Sequence, residues 1–197
     1  MVLGVSWTDL VTAFASIIAL LVSTLAIIQT KSQSKITNKQ FLFTKRTRAF
    51  FILQELQPCF DIYRRSINSD EFRQNKEEKK LYLEIELLTN NSFFYDLGND
   101  RTLGLIKKTT ELTILSLDIK FYFPKKEVQL VSDFIGNYSL YLSMINRKYN
   151  KISTGKNEND SEKTMLKSTL LELNENWKSL ETGEALLRIG ESIKFKN

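Results

Sequence analysis

Few residues in this chain are of the types that commonly carry chemistry, and their spacing narrows them further. Its 197 residues include no histidine and one cysteine, Cys59. Without histidine there are no His-based catalytic triads, His-ligated metal sites or histidine pH switches. One cysteine cannot close an intrachain disulfide or build a multi-cysteine zinc or iron–sulfur site. Cys59 falls on the wide apolar face of its helix, the setting of a buried and inert thiol, and it lacks a histidine base. Glu84 and Glu86 are two residues apart, which turns them to different sides of a helix and makes them a poor acid–base pair. Neither common nucleotide-binding fingerprint, G-x-G-x-x-G or G-x-x-x-x-G-K-[ST], occurs, and Gly155-Lys156 is an isolated dipeptide. A Glu-x-x-His pair for a carboxylate metal centre is also absent. Hence no catalytic, cofactor-binding or metal-ligating residue is assigned, no cofactor is expected, and the chain reads as a non-enzyme.

The elements that would position any site are helical. Gly 7 and Pro 2 are too few for a turn-rich β sandwich or barrel, and 42% hydrophobic content argues against disorder. Leu10 to Ile28 is a 19-residue run without charge. As a helix it is roughly 28 Å long, close to the ~30 Å hydrocarbon core of a bilayer. Ser6-Trp7-Thr8-Asp9 precedes it as a capping-box-like start, with Trp7 placed as an interfacial aromatic. An acid before the run and IIQTKSQSK after it do not suit a cleavable signal peptide, so a retained anchor is expected. Ala15, Ala19 and Ser23 recur every fourth residue and form a small face on which two spans can approach closely.

The formal charge of +5 is concentrated near this run. Residues 1–54 hold Lys31, Lys35, Lys39, Lys45, Arg46 and Arg48 against Asp9, whereas residues 55–197 hold 22 basic and 22 acidic side chains. A nucleic-acid binder spreads basic residues over a face of its folded domain, so nucleic acid is not expected as a partner. The positive-inside rule instead places the N-terminus outside the cell membrane and the C-terminal domain in the cytoplasm, with these six residues as topology determinants or lipid-headgroup contacts.

Beyond the anchor (residues 1–30) and a basic juxtamembrane segment (31–48), residues 49–197 read as an all-α helical bundle. Leu42, Ala49, Leu53, Leu56, Phe60, Tyr63 and Ile67 form a heptad-spaced stripe, with Pro58 expected to kink or divide the helix. Whether the anchor runs into this helix without a break is open at this level. A second helix is expected from Glu71 to about Leu88 after the cap signal Asn68-Ser69-Asp70-Glu71. A third runs from Arg101 to about Phe121 behind Asp100. Its Leu105, Thr109, Leu112, Ser116 and Ile119 share one face, which Leu103, Ile106 and Leu117 are expected to enlarge. Pro124 suits the first turn of a fourth helix, striped by Val128, Val131, Ile135, Tyr138, Leu142, Ile145, Tyr149 and Ile152. Residues 153–161 read as a loop. A last helix carries Leu166, Leu170, Leu173, Trp177 and Leu180. Packing in a bundle of about four or five helices, or coiled-coil oligomerisation, would bury these stripes.

The stretch NKQFLFTKRTRAFFILQEL after the span, followed by FYFPKKEVQLVSDFI, resembles a loose class of uncharacterised bacterial membrane proteins. They share one N-terminal span, a K-Q-x-L-F-x-K-R-like juxtamembrane helix and an all-helical cytoplasmic part. The resemblance implies a tethered helical protein and supplies no activity or site residues. Some proteins of this appearance belong to phage-defence or other conflict loci. Beside an enzyme acting at the membrane, for which the sequence offers no residue constellation, two functions are therefore expected to compete. One is an interaction module at the inner membrane face that binds a protein partner or itself. The other is an effector that oligomerises through Ala15, Ala19 and Ser23 and perturbs the bilayer.

Overall fold

A computed structural model describes residues 6–123, 127–155, 160–182, 187 and 189–191. Among these the chain is all-helical, without a strand: α1 (Trp7–Ser66), α2 (Asp70–Arg73), α3 (Glu77–Thr89), a 3-10 turn at Ser92–Phe94, α4 (Arg101–Tyr122), α5 (Glu127–Ser153) and α6 (Asp160–Thr182). The chain divides into two units, residues 1–44 and 45–197.

The first unit is the apolar part of α1. Ser6 and Asp9 close a reciprocal cap, with the Asp9 amide donating to Ser6 Oγ and the Ser6 amide to Asp9 Oδ2, each at 3.2 Å. Residues 6–41 are all exposed. The hydroxyls of Thr12, Ser16, Ser23 and Thr24 each donate to the carbonyl four residues earlier at 2.8 Å. This satisfies the polar groups of the segment within its own helix, the condition an apolar solvent imposes. α1 is the one described helix long and apolar enough, by length and composition, to cross a membrane.

The second unit is packed around α5, whose Val131, Phe134, Ile135, Tyr138, Leu142 and Ile145 are all buried. α3, α4 and α6 pack against it. α1 supplies Phe60, whose ring meets Phe134 and Tyr138 edge-on at 6.0 and 6.3 Å between centroids. The α4–α5 seam is made of small and hydroxylated residues. Ser139 Oγ donates to the Thr109 carbonyl at 2.6 Å, Ser132 Oγ donates to that of Ser116 at 2.7 Å, and Gly136 faces Ser116.

Several sequence expectations change at this level. Of the two outcomes expected at Pro58, division does not occur, since α1 runs through it. The missing amide costs one backbone bond, but Leu53, Leu56, Cys59 and Phe60 are buried on either side and hold the helix in register. The single helix expected over 71–88 is two. Ser69 caps the four-residue α2 by accepting from the Phe72 amide, and α3 begins afresh after Lys76. On α4 the five residues of the expected core face are buried behind an Asp100 cap, but Leu103, Ile106 and Leu117 point to solvent. Tyr149 and Ile152, at the end of the α5 stripe, are half-buried. Pro124 and the tail after Glu191 lie outside the described residues.

Candidate functional site

The basic residues near the apolar segment occupy two settings. Lys31, Lys35 and Lys39 are exposed in the first unit. Lys45, Arg46 and Arg48 belong to the second unit, where two engage α4. Arg46 Nε donates to the Tyr122 carbonyl and its guanidinium lies 5.9 Å from the Phe123 ring centre. Arg48 pairs with Glu111 at 3.5 Å. Arg46 thereby partners a carbonyl at the end of α4 that has no helical donor, and a cation there also complements the helix dipole. Ala15, Ala19 and Ser23 are exposed, and the Ser23 hydroxyl is turned onto the Ala19 carbonyl, which leaves the face smooth.

Inside the second unit, Tyr63 from α1, Glu84 from α3 and Tyr141 from α5 bring three oxygens together. The two phenol hydroxyls are within hydrogen-bond distance of each other, and each also lies within reach of Glu84 Oε2, Tyr141 at 3.2 Å and Tyr63 at 3.4 Å. Burial raises the Glu84 carboxyl above its usual range, against the two phenol hydrogen bonds and the charges of Lys148 and Lys80. Burial and the neighbouring acid push both tyrosines well above their ordinary range. Tyr63 lay on the expected stripe, but Tyr141 and Glu84 meet it only because three helices pack there. Glu86, on the other side of α3, accepts from Tyr82 at 3.4 Å and stays exposed.

Cys59 is buried, donates to the Asn90 carbonyl at 3.3 Å, and has its thiol raised by burial. A groove of about 1040 Å³ opens beside it, lined by α2, α3 and the start of α4. Its cations are largely engaged. Arg65 pairs with Asp61, and Arg101 lies over the Tyr82 ring and donates to its hydroxyl. Among the described residues, Cys, Asp and Glu side chains nowhere gather in threes to hold a metal.

The surface feature that stands apart lies on α4. Leu103, Ile106, Ile114, Leu117 and Phe121 are 64, 51, 53, 61 and 81% exposed. They lie on the side opposite Leu105, Leu112 and Ile119, which are sealed in the core. α4 is thus apolar on two faces, only one of them covered. That is why its sequence suggested a single broad core face. Comparison of the chain with protein families, with curated proteins and with solved structures finds no match in any of the three.

Proposed function

We propose that this protein is a single-span, membrane-tethered interaction protein. Its helical bundle sits at the cytoplasmic face of the cell membrane and binds a protein partner or a second copy of itself. The observation that carries the reading is the uncovered apolar face of α4, where five exposed apolar side chains share one side of a single helix. Contiguous apolar patches beyond a few hundred Å² mark interaction sites on soluble domains. The apolar run of α1 supplies the tether, and Lys31, Lys35 and Lys39 bias its orientation.

A second reading is an oligomerising, membrane-perturbing effector. What favours it is the smooth face of Ala15, Ala19 and Ser23, with its one hydroxyl satisfied internally. Expression of the intact chain beside a chain starting at Lys31 separates the two, with fractionation and dye leakage followed together. The interaction protein gives membrane-bound intact chain without leakage and a soluble, folded truncation. Leakage that needs residues 1–30 and is lost on Ala15→Leu with Ala19→Leu establishes the effector instead. Intact chain in the soluble fraction overturns both.

A further inference from the structure

We infer that the exposed face of α4 is the surface on which two copies of this chain pair, α4 lying parallel and in register against α4 of the other copy. This rests on the reading of the chain as a membrane-tethered interaction protein and names its partner. Leu103, Thr110 and Leu117 repeat every seven residues, and Lys107, Ile114 and Phe121 do the same four residues on. Together they form an alternating three–four seam of the kind that packs against its own copy. The seam is distinct from the face that closes the core, so pairing disturbs nothing inside the unit.

Area supports a second copy as the occupant. If all five exposed side chains were fully covered, a pair would remove at most about 1,200 Å² from water, the lower edge of a stable specific interface. Tethering two copies in one membrane raises their effective concentration, so an interface of this size suffices.

Charge selects the direction. One flank of the seam carries Glu111 and Asp118, and the other carries Ile106, Thr113 and Lys120. A parallel pair sets the acidic flank of each copy beside the other flank of its mate. An antiparallel pair sets the flanks that carry Asp118 against each other, with Glu111 already partnered by Arg48 of its own copy. Lys107 occupies one seam position. Its stem covers apolar surface, and a single lysine there fixes register at a cost in stability.

Thr110→Cys in the otherwise natural full-length chain, oxidised in native membranes, tests the pairing. Cys59 is buried, so the natural chain is the background control. The expected result is a reductant-reversible species of twice the chain mass for Thr110→Cys. None is expected for the natural chain or for Leu171→Cys, an exposed position on α6. Adding Leu117→Asp should lower the cross-linked fraction about tenfold by placing a charge in the seam, with unchanged helical content by circular dichroism because Leu117 lies outside the core. Adding Lys107→Ile should raise it. Membrane-bound Thr110→Cys chain that stays monomeric overturns the inference and leaves the tethered reading intact, as does cross-linking indifferent to Leu117→Asp. Chain recovered in the soluble fraction overturns the tethered reading itself.

Discussion

Glu84 shows how much one residue's setting decides. It is a carboxylate on a helix rich in Lys and Glu, yet it ends between two buried phenols, with a raised pKa. The unfolded carboxyl titrates near 4.5, and below that pH Glu84 is neutral in both states and adds no pH dependence. Above it the unfolded chain loses the proton first, so the folded state holds more protons and stability falls as pH rises toward the folded value. Beyond that value the loss stays constant. Glu84→Gln keeps an acceptor for both hydroxyls and removes the titration. Its melting temperature relative to the natural chain should therefore climb as pH rises from about 4.5 to neutrality. Glu77 works in the opposite sense. Lys148, 2.9 Å away, lowers its pKa, so its small contribution is lost as pH falls, and it cancels in the difference between the two chains. A difference that is flat with pH would mean that folding does not raise the Glu84 carboxyl. None of this was legible in the sequence. Heptad spacing put Tyr63 on a core stripe, but nothing in the spacing of Tyr141 or Glu84 says that three helices bring them to one point.

Individual elements were legible to the degree that they are apolar on one side only. α5 has one repeating stripe, and the structure buries it from Val128 to Ile145. α4 is apolar on two sides, so periodicity alone could not say which side meets the core. The division between α2 and α3 was hidden because polar residues at 74–76 suit an exposed helix as well as a break. Two glycines of α4 and α5 show what the packing of these elements demands. A Cβ on Gly136 would stand 3.4 Å from Ser116 Oγ, an ordinary contact, so the seam tolerates alanine. Gly136→Ala should then gain about 0.5–1 kcal/mol from helix propensity, seen as a rise of roughly 2–4 °C in the thermal midpoint. A Cβ on Gly104 would meet the Leu97 backbone carbonyl at 1.8 Å, and backbone cannot swing aside as a side chain can. Gly104→Ala should cost about 1–3 kcal/mol. Circular-dichroism melts of both variants check the pair, and a destabilised Gly136→Ala would mean that the α4–α5 seam is tighter than these contacts show.

For the molecule as a whole, the concentration of net charge between residues 31 and 48 was read in sequence as one basic segment, yet its members have different surroundings. Lys31, Lys35 and Lys39 are exposed and lie within about a dozen residues of the apolar run, inside the 15–20 residues over which basic charge sets orientation. Arg46 stands at the far edge of that range, and its guanidinium is held by the Tyr122 carbonyl and the Phe123 ring. The two groups should therefore separate in one experiment. A cysteine introduced as Ser6→Cys reports the side on which the N-terminus emerges through labelling with a membrane-impermeant maleimide, since the native Cys59 is buried. Replacing all three lysines by glutamine should lower the externally labelled fraction and leave the thermal transition unmoved. Arg46→Gln should leave labelling close to that of the parent. It should cost about 1–2 kcal/mol of stability, because a hydrogen-bonded, ring-stacked cation is removed and a helix-end carbonyl loses its partner. Labelling that responds to Arg46→Gln as strongly as to the triple change would mean that charge alone governs all six positions. The contacts Arg46 makes with α4 would then have no part in setting it apart.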